Sequence, residues 1–474
     1  MKNIPFVLPV KTALGHYIYE VNKNEILFVD ENIFQCVTSE LLNKSDEAVE
    51  EQLAELKLNG YLSSHKIKHI QHSLSEISKI LLDRGINQLI LQVTQECNLR
   101  CKYCIYSENS NVNQRMHTNS FMTLETAKKA IDFYRIHSID ADRAVIGFYG
   151  GEPFLNFDLI KKAVEYAEIV FEGKEIVFTA TSNATLLSDQ IIEFIMQHNF
   201  QLTISIDGPK ELHDKNRVFA SGKGTYDKVI ANIHKINKKN SDWMKNVSFS
   251  LVVDNQNDFY SIKKILDDPV FQKTKFMISY VEKDGKIQQP SNQYLTQYNY
   301  ESFLSIVRLF RGDWNRNREK FTISNESSLA FEDPTFSETQ LGDYGAPNGP
   351  CVPGKLRLFV DTEGNLYSCE RVNENKNMCI GTLKDGFNVL KIYELLNISQ
   401  IGTEECRSCW AFSLCGICAK WIDDGEGMSI ENRKNACQNA KTSAYGKILR
   451  RILVYENSIH QKLMREIISK GENV

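Results

Sequence analysis

Eleven of the chain's twelve cysteines are gathered into two groups, Cys97 to Cys104 and Cys351 to Cys437. In the first, Thr94-Gln95-Glu96-Cys97-Asn98-Leu99-Arg100-Cys101-Lys102-Tyr103-Cys104, three thiols are spaced x3 and x2 in one short segment. Three thiolates on one loop can bind three irons of a four-iron cluster and leave the fourth iron free for a small molecule. The competing use, structural zinc, is a closed site with four ligands, usually two CxxC or Cys/His pairs. No cysteine or obvious histidine pair lies near enough in sequence to complete such a site here. In the second group Cys351 is followed by twelve residues, Gly364, four residues and Cys369, then Cys379. Cys406-x2-Cys409-x5-Cys415-x2-Cys418 and Cys437 complete it. CxxC pairs serve zinc and iron–sulfur sites alike. Cys36 stands apart and reads as a small buried residue on an N-terminal helix.

The elements that must position the first group follow a β/α alternation. Strands are expected over 89–94, 144–149, 175–181, 201–206, 247–253 and 275–281, all rich in Val, Ile, Phe and Leu as buried parallel strands are. Amphipathic helices are expected between them. One is capped by Thr123, with Ala127, Ala130, Ile131 and Tyr134 on one face, and others run over 159–170, 188–197 and 225–236. Six such units predict an α/β fold, a partial (β/α)6 relative of the TIM barrel, with its active site at the C-terminal ends of the strands. The cysteine loop directly follows the first of these strands.

Around the barrel, residues 1–85 read as a winged-helix-like module: a hairpin of 16–21 and 25–30, helices over 31–38 and 46–58 stopped by Gly60, and a helical connector over 64–83. The barrel is assigned to 86–285 and a bridging region, with loops over 284–298 and 333–350, to 286–345. The cysteine-rich domain takes 346–440, and a long helix from 441 to 469 fills most of 441–474. With 56 basic and 60 acidic residues and a net charge of −4, the surface is not built for phosphate, so nucleic acid is not an expected partner. No run of eighteen apolar residues predicts a membrane span, and Met1-Lys2-Asn3-Ile4-Pro5 does not open a secretory signal. A cytoplasmic location is expected, where clustered cysteines bind metal rather than form disulfides.

The cysteine loop, with aromatic Tyr103 before its last cysteine, resembles the signature of the radical S-adenosylmethionine (SAM) superfamily. The resemblance extends along the barrel. Gly150-Gly151-Glu152-Pro153 after the second strand is similar to the family's motif for the methionyl ammonium of SAM, glycines permitting close backbone approach and the carboxylate accepting from the ammonium. Thr181-Ser182-Asn183-Ala184 stands where the family usually has Thr-Asn-Gly, which makes Asn183 the matching polar contact. Ser205, ending the fourth strand, and Arg217 match the residues that contact the ribose or methionyl part of SAM and pair its carboxylate. The second cysteine group resembles the SPASM auxiliary-cluster domain, departing from it with two residues rather than three between Cys415 and Cys418. That resemblance implies one auxiliary four-iron cluster on Cys406, Cys409, Cys415 and Cys437 and another on Cys351, Cys369 and Cys418. The fourth ligand of the latter is either Cys379 or a site left open for a substrate thiolate.

The resemblance therefore implies SAM and three four-iron clusters as cofactors, an electron from a flavodoxin- or ferredoxin-type donor, and a 5′-deoxyadenosyl radical that abstracts hydrogen from substrate. The N-terminal module is similar to elements that bind the leader of a ribosomally made precursor peptide. Thioether crosslinking of a Cys-rich precursor is the expected reaction. Carbon–carbon crosslinking and sulfatase-maturation-type oxidation of a serine or cysteine remain open beside it.

Overall fold

A computed structural model describes residues 4–38, 47–104, 106, 117–272, 274–283, 286–311, 340–347, 349 and 351–469. The chain opens with three antiparallel strands in the order β1 (Val7–Lys11), β2 (His16–Glu20) and β3 (Glu25–Val29). The hairpin lies where its turn residues predict it, whereas β1, which carries Pro9 inside a short strand, was not foreseen. Helices α1 (Glu31–Thr38) and α2 (Glu47–Leu58) follow; Asp46, the expected start of the second, lies outside the described residues. Gly60, at φ +79°, donates to the Lys57 carbonyl and ends α2.

The connector departs from expectation. Residues 64–77 are not helical, a short strand β4 (His69–Ile70) interrupts them, and only α3 (Ser78–Arg84) is helix. The reason is tertiary: the Asn397 carboxamide accepts from the His72 amide (2.7 Å) and donates to Ser75 Oγ (3.0 Å), which draws this stretch onto the far end of the chain.

The barrel elements then run β5 (Leu89–Thr94), α4 (Leu124–His137), β6 (Ala144–Gly150), α5 (Phe157–Val170), β7 (Ile176–Ser182), α6 (Asp189–Gln197), β8 (Phe200–Ser205), α7 (Lys210–Asn216), α8 (Tyr226–Lys239), β9 (Val247–Val253), α9 (Phe259–Lys263) and β10 (Lys275–Tyr280). Thr123 and Ser188 cap α4 and α6 by accepting from the amides of Thr126 and Ile191. The six strands are parallel and in sequence order. Their register separates two faces. Leu89, Ile146, Phe178, Phe200 and Val247 lie on one, in the main core under the helices. Thr179, Thr203, Ser205, Ser248 and Ser250, half-buried, and the exposed Ser279 lie on the other, with Gln88 donating to Thr179 (3.2 Å) and Thr203 bonded to Ser248 (3.0 Å). A parallel sheet packed on both sides is apolar on both faces; this one keeps a polar, accessible inner face.

Beyond β10 come β11 (Glu282–Lys283), β12 (Lys286–Ile287) and α10 (Asn292–Arg311), so the expected loop over 284–298 is helical from Asn292 onward. That helix docks through tyrosines, Tyr294 and Tyr298 packing on Phe259 with ring centroids 5.6 and 5.5 Å away, rather than through an aliphatic stripe. The expected loop over 333–350 lies partly outside the described residues; β13 (Tyr344–Gly345) falls within it and pairs with β4.

The cysteine-rich segment does not stand off from the barrel. Strand β14 (Leu358–Val360) pairs in parallel with β5, and β15 (Asn365–Tyr367), β16 (Cys379–Thr382) and β17 (Gly386–Phe387) continue it antiparallel, making one ten-stranded sheet. Helices α11 (Val389–Leu396), α12 (Thr403–Arg407) and α13 (Ile430–Ser469) complete the chain. The last begins eleven residues before its expected start, because the Ser429 side chain accepts from the Asn432 amide and opens the helix there. Ala444, Ile448 and Ile452 on α13 pack against Val10, Tyr17 and Tyr19 of the N-terminal sheet. Among the described residues no helix is long and apolar enough to cross a membrane.

Candidate functional site

At the C-terminal end of β5 the chain leaves the sheet as the first cysteine loop, clamped on two sides. The Gly151 and Glu152 amides donate to the Thr94 and Glu96 carbonyls (3.0 Å each), and the Arg100 and Lys102 amides donate to the Val218 and Asn216 carbonyls (2.8 and 3.0 Å). A Cβ on Gly150 would overlap the Thr94 carbonyl oxygen, and one on Gly151 the Glu96 carbonyl oxygen; Gly150 also sits at φ +141°. The glycine pair thus lets the end of β6 close onto the cysteine loop itself. The backbone approach expected for a ligand is made to the chain's own carbonyls.

Cys97 and Cys101 are buried around Leu99, and Cys104 is half-buried beside them. Burial, then the Glu152 charge, then Cys101 and Cys104, push the Cys97 thiol up to about 12, against the Leu99 amide that donates to its sulfur (3.4 Å). Burial raises Cys101 to about 11, with Arg217 opposing. Cys97 and Cys101, poorly solvated and within electrostatic reach of each other, stay protonated unless a cationic metal group takes the protons' place. The donor set, buried and already receiving an amide hydrogen bond, fits an iron–sulfur cluster. Among the described residues no three His, Cys, Asp or Glu side chains converge on a single-ion site.

Glu152 is fully buried, and burial pushes its carboxyl up to about 7, against hydrogen bonds from the Asn183 amide (2.7 Å), the Ser182 hydroxyl (2.8 Å) and the Phe154 amide (3.3 Å). An ammonium docked against it would supply the missing counter-charge. Asn183 bridges two walls of the site, its amide nitrogen 2.9 Å from Asn98 Oδ1 and 3.8 Å from Cys97 Sγ, while its oxygen accepts from Thr185. Ala184, in the glycine position of the expected motif, is held at φ +60°.

The third wall turns on a residue the sequence reading passed over. Asp207, two positions after Ser205, accepts from Arg217 Nε (3.0 Å), from the Val252 amide (3.2 Å) and from the Tyr103 hydroxyl. The Arg217 guanidinium lies over the Tyr103 ring (5.5 Å to its centroid), and its charge favours the Cys101 thiolate. Arg217 is therefore engaged through Nε by the protein's own carboxylate, and Tyr103 by the same group. Ser205 projects from the inner face opposite Ser250. The signal for Asp207 was its place at a strand end before Gly208, which has φ +128°.

The second group separates into two. Cys351 is raised by burial and by Cys369 and Cys418, and Cys418 in turn by Cys369, so these three share one neighbourhood. Cys415 is raised to about 11 by burial and then by Cys406, Cys409 and Cys437. Cys437 is carried on α13, and its partners on the turns before it. Cys379 is turned to its own strand, donating to the Gly381 carbonyl (3.1 Å). Glu374, another unforeseen residue, enters the barrel side: its carboxylate accepts from Gln92 (2.7 Å) and Gln95 (3.4 Å), tying the cysteine-rich segment to the first strand and its loop.

A Cysteine-type anaerobic sulfatase-maturating enzyme of Clostridium perfringens is 27% identical over 357 residues, 73% of this chain and 92% of that protein. A Radical SAM cyclopropyl synthase of Paramaledivibacter caminithermalis is 21% identical over 402 residues, 82% of this chain and 78% of that one. The solved structure of native anSMEcpe with bound AdoMet superposes with a TM-score of 0.56 at 20% identity, covering 82% of this chain and 100% of that one. Residues 91–264 match the Radical SAM superfamily model, and the α/β fold they build here, a parallel sheet with a trio of cysteines at its mouth, is the Radical SAM fold.

Proposed function

We propose that the chain is a radical SAM enzyme that modifies a peptide, with a four-iron cluster on Cys97, Cys101 and Cys104. The observation that carries the reading is the clamped cysteine loop, set against the buried Glu152 carboxylate at the mouth of a polar inner face. Glu152 would take the methionyl ammonium of SAM. Asn183 and Ser205 would supply polar contacts, and Arg217, its Nε already on Asp207, would offer its terminal nitrogens to the carboxylate. When bound and reduced, the cluster and SAM supply a 5′-deoxyadenosyl radical able to take a hydrogen atom from substrate. The chain's own residues hold that chemistry in one place: Leu99 and Phe219 keep water from the thiolates, and Asn183 fixes the loop against β7.

Auxiliary clusters are assigned to Cys406, Cys409, Cys415 and Cys437, and to Cys351, Cys369 and Cys418. The hydrogen bond from Cys379 to Gly381 favours an open fourth position in the latter over ligation by Cys379. Such a position suits a substrate thiolate, and hence thioether formation in a Cys-rich precursor. The N-terminal module is read as the leader-binding element: β3 is an edge strand, and a groove of about 580 Å³ runs beside it, lined by Tyr17, Ile26, Phe28, Arg451 and Tyr455. A flavodoxin- or ferredoxin-type protein is the proposed donor.

The second reading is oxidation of a cysteine or serine on a sulfatase-type protein, favoured by the match that spans 92% of the cysteine-type sulfatase-maturating enzyme. Anaerobic incubation of reconstituted enzyme with SAM, reductant and either a Cys-rich precursor or a sulfatase peptide separates the two. A two-hydrogen loss from the precursor, with a thioether in its fragment spectrum and 5′-deoxyadenosine formed, supports the first reading. Formylglycine in the sulfatase peptide with an unchanged precursor refutes it.

A further inference from the structure

Arg433 lies on the first turns of α13 and is 3% exposed. Its guanidinium donates to Cys406 Sγ, and among the described residues it forms no ion pair with a carboxylate. Three features of the position ask for a strongly anionic neighbour. A buried guanidinium without a counter-ion is costly. The N-terminal end of a helix is the wrong end of its dipole for a cation. Arg433 and Cys437 are four residues apart, so both side chains leave the helix on one face and point at the same group of thiols. The fit is also made by a gap: a side chain at Gly402, which sits at φ +81°, would collide with the guanidinium. Arg217, the buried arginine beside the first cysteine loop, differs on the deciding point, because Asp207 neutralises it.

We infer that Arg433 is the built-in counter-ion of the cluster on Cys406, Cys409, Cys415 and Cys437, and that its charge makes this cluster easier to reduce than the same four thiolates would make it alone. The inference rests on the cluster assignment above. A four-iron cluster on four thiolates is anionic, and taking up one electron, with no proton, adds a further negative charge. A fixed, buried positive charge bonded to a ligand sulfur stabilises the reduced form more than the oxidised one and raises the potential. The group of Cys351, Cys369 and Cys418 has as its cations Arg357 and Arg371, both against Glu370, and Lys420, paired with Glu282, all three more exposed than Arg433.

The test is a potentiometric titration, followed by EPR, of the full-length reconstituted chain carrying Cys97→Ala, Cys101→Ala and Cys104→Ala, so that only auxiliary signals remain. Arg433→Gln keeps a donor and removes the charge; Arg433→Lys keeps the charge. In the Gln variant one of the two couples should fall by about a tenfold change in its redox equilibrium, ~59 mV for one electron. The other couple should stay in place, and the Lys variant should remain near the parent. A Gln variant with unmoved couples, Lys and Gln variants that shift alike, or loss of the cluster from both would overturn the role given to Arg433. Iron and sulfide content of Cys406→Ala/Cys409→Ala reports separately on the assignment: if it equals that of the parent, no cluster sits on these cysteines and the cluster reading itself fails.

Discussion

Replacing Asp207 by Asn isolates one charge in the wall of the site. The carboxamide oxygen can still accept from Arg217 Nε and the Val252 amide, and its nitrogen can donate to the Tyr103 oxygen, so shape and hydrogen-bond count survive. What is lost is the counter-charge of Arg217. Arg217 and Asp207 are 8% and 4% exposed, so solvent screens the pair little. Removing one partner of a buried ion pair costs ~3–5 kcal/mol, mostly because the other charge is left uncompensated. For a folding unit of this size each kcal/mol is worth about 2–4 °C, so the barrel transition should fall by about 6–20 °C. Calorimetry of the cluster-free chain under reductant measures it. The double variant Asp207→Asn/Arg217→Met buries no charge and should recover a substantial part of the loss. If Asp207→Asn costs less than about 1 kcal/mol, or if the double variant melts no higher than the single, Asp207 is not what holds Arg217, and the electrostatic account of this wall is wrong.

Other outcomes follow from the same geometry. Burial, with Arg217 adding to it, pushes the His213 imidazole down to about 3, so its neutral form is part of the fold. A depressed base makes stability fall as pH drops below its unfolded value near 6.5, by about 2 kcal/mol at pH 5, and His213→Gln should flatten the melting temperature over that window. Ala184→Gly should stabilise the chain by up to about 1 kcal/mol in denaturant unfolding, since φ +60° is strained for alanine; a clear loss would count against that strain. Gly151→Ala should push the cysteine loop off the end of β6, seen as iron content reduced by one cluster's share while both auxiliary EPR signals persist.

Much of the barrel was legible because its signals are local. Four of the six strands begin at the expected residue, at Leu89, Ala144, Val247 and Lys275, and Thr123 and Ser188 cap helices as their side-chain chemistry dictates. Elements that depend on distant partners were not legible. Residues 64–77 carry polar groups that a helix would tolerate, yet Asn397, more than 300 positions away, captures His72 and Ser75. Helix α10 has an aromatic buried face, which an aliphatic periodicity does not report. In the candidate site, the residues to which chemistry is assigned were picked out by their spacing. Those that hold them in place, Asp207, Ser182 and Arg433, were not, since a single Asp, Ser or Arg in sequence has many ordinary uses and only the fold brings it to a sulfur or a carboxylate.

The joining of β14 to β5 changes how the two cysteine groups must be thought of together. A barrel of six strands has two open edges, and an open edge leaves a row of unpaired backbone groups. At β5 that row is taken up by Leu358–Val360, whose side chains are fully buried in the core that contains Leu89 and Leu91. The strand that ends in Cys97's loop is therefore flanked on one side by the strand that leads into Glu152, and on the other by the strand between Cys351 and Cys369. Both flanks are hydrogen-bonded ladders, not linkers. Separations between the groups are then set by strand spacing and are insensitive to relative domain motion. Glu374 adds a side-chain tie across the same seam, through Gln92 and Gln95. An auxiliary centre meant to hold a substrate sulfur, or to accept an electron from a radical made at the first loop, requires such fixed spacing. A hinged domain would let it vary at the moment of reaction. The shared sheet is thus itself an argument that the two groups act on one substrate.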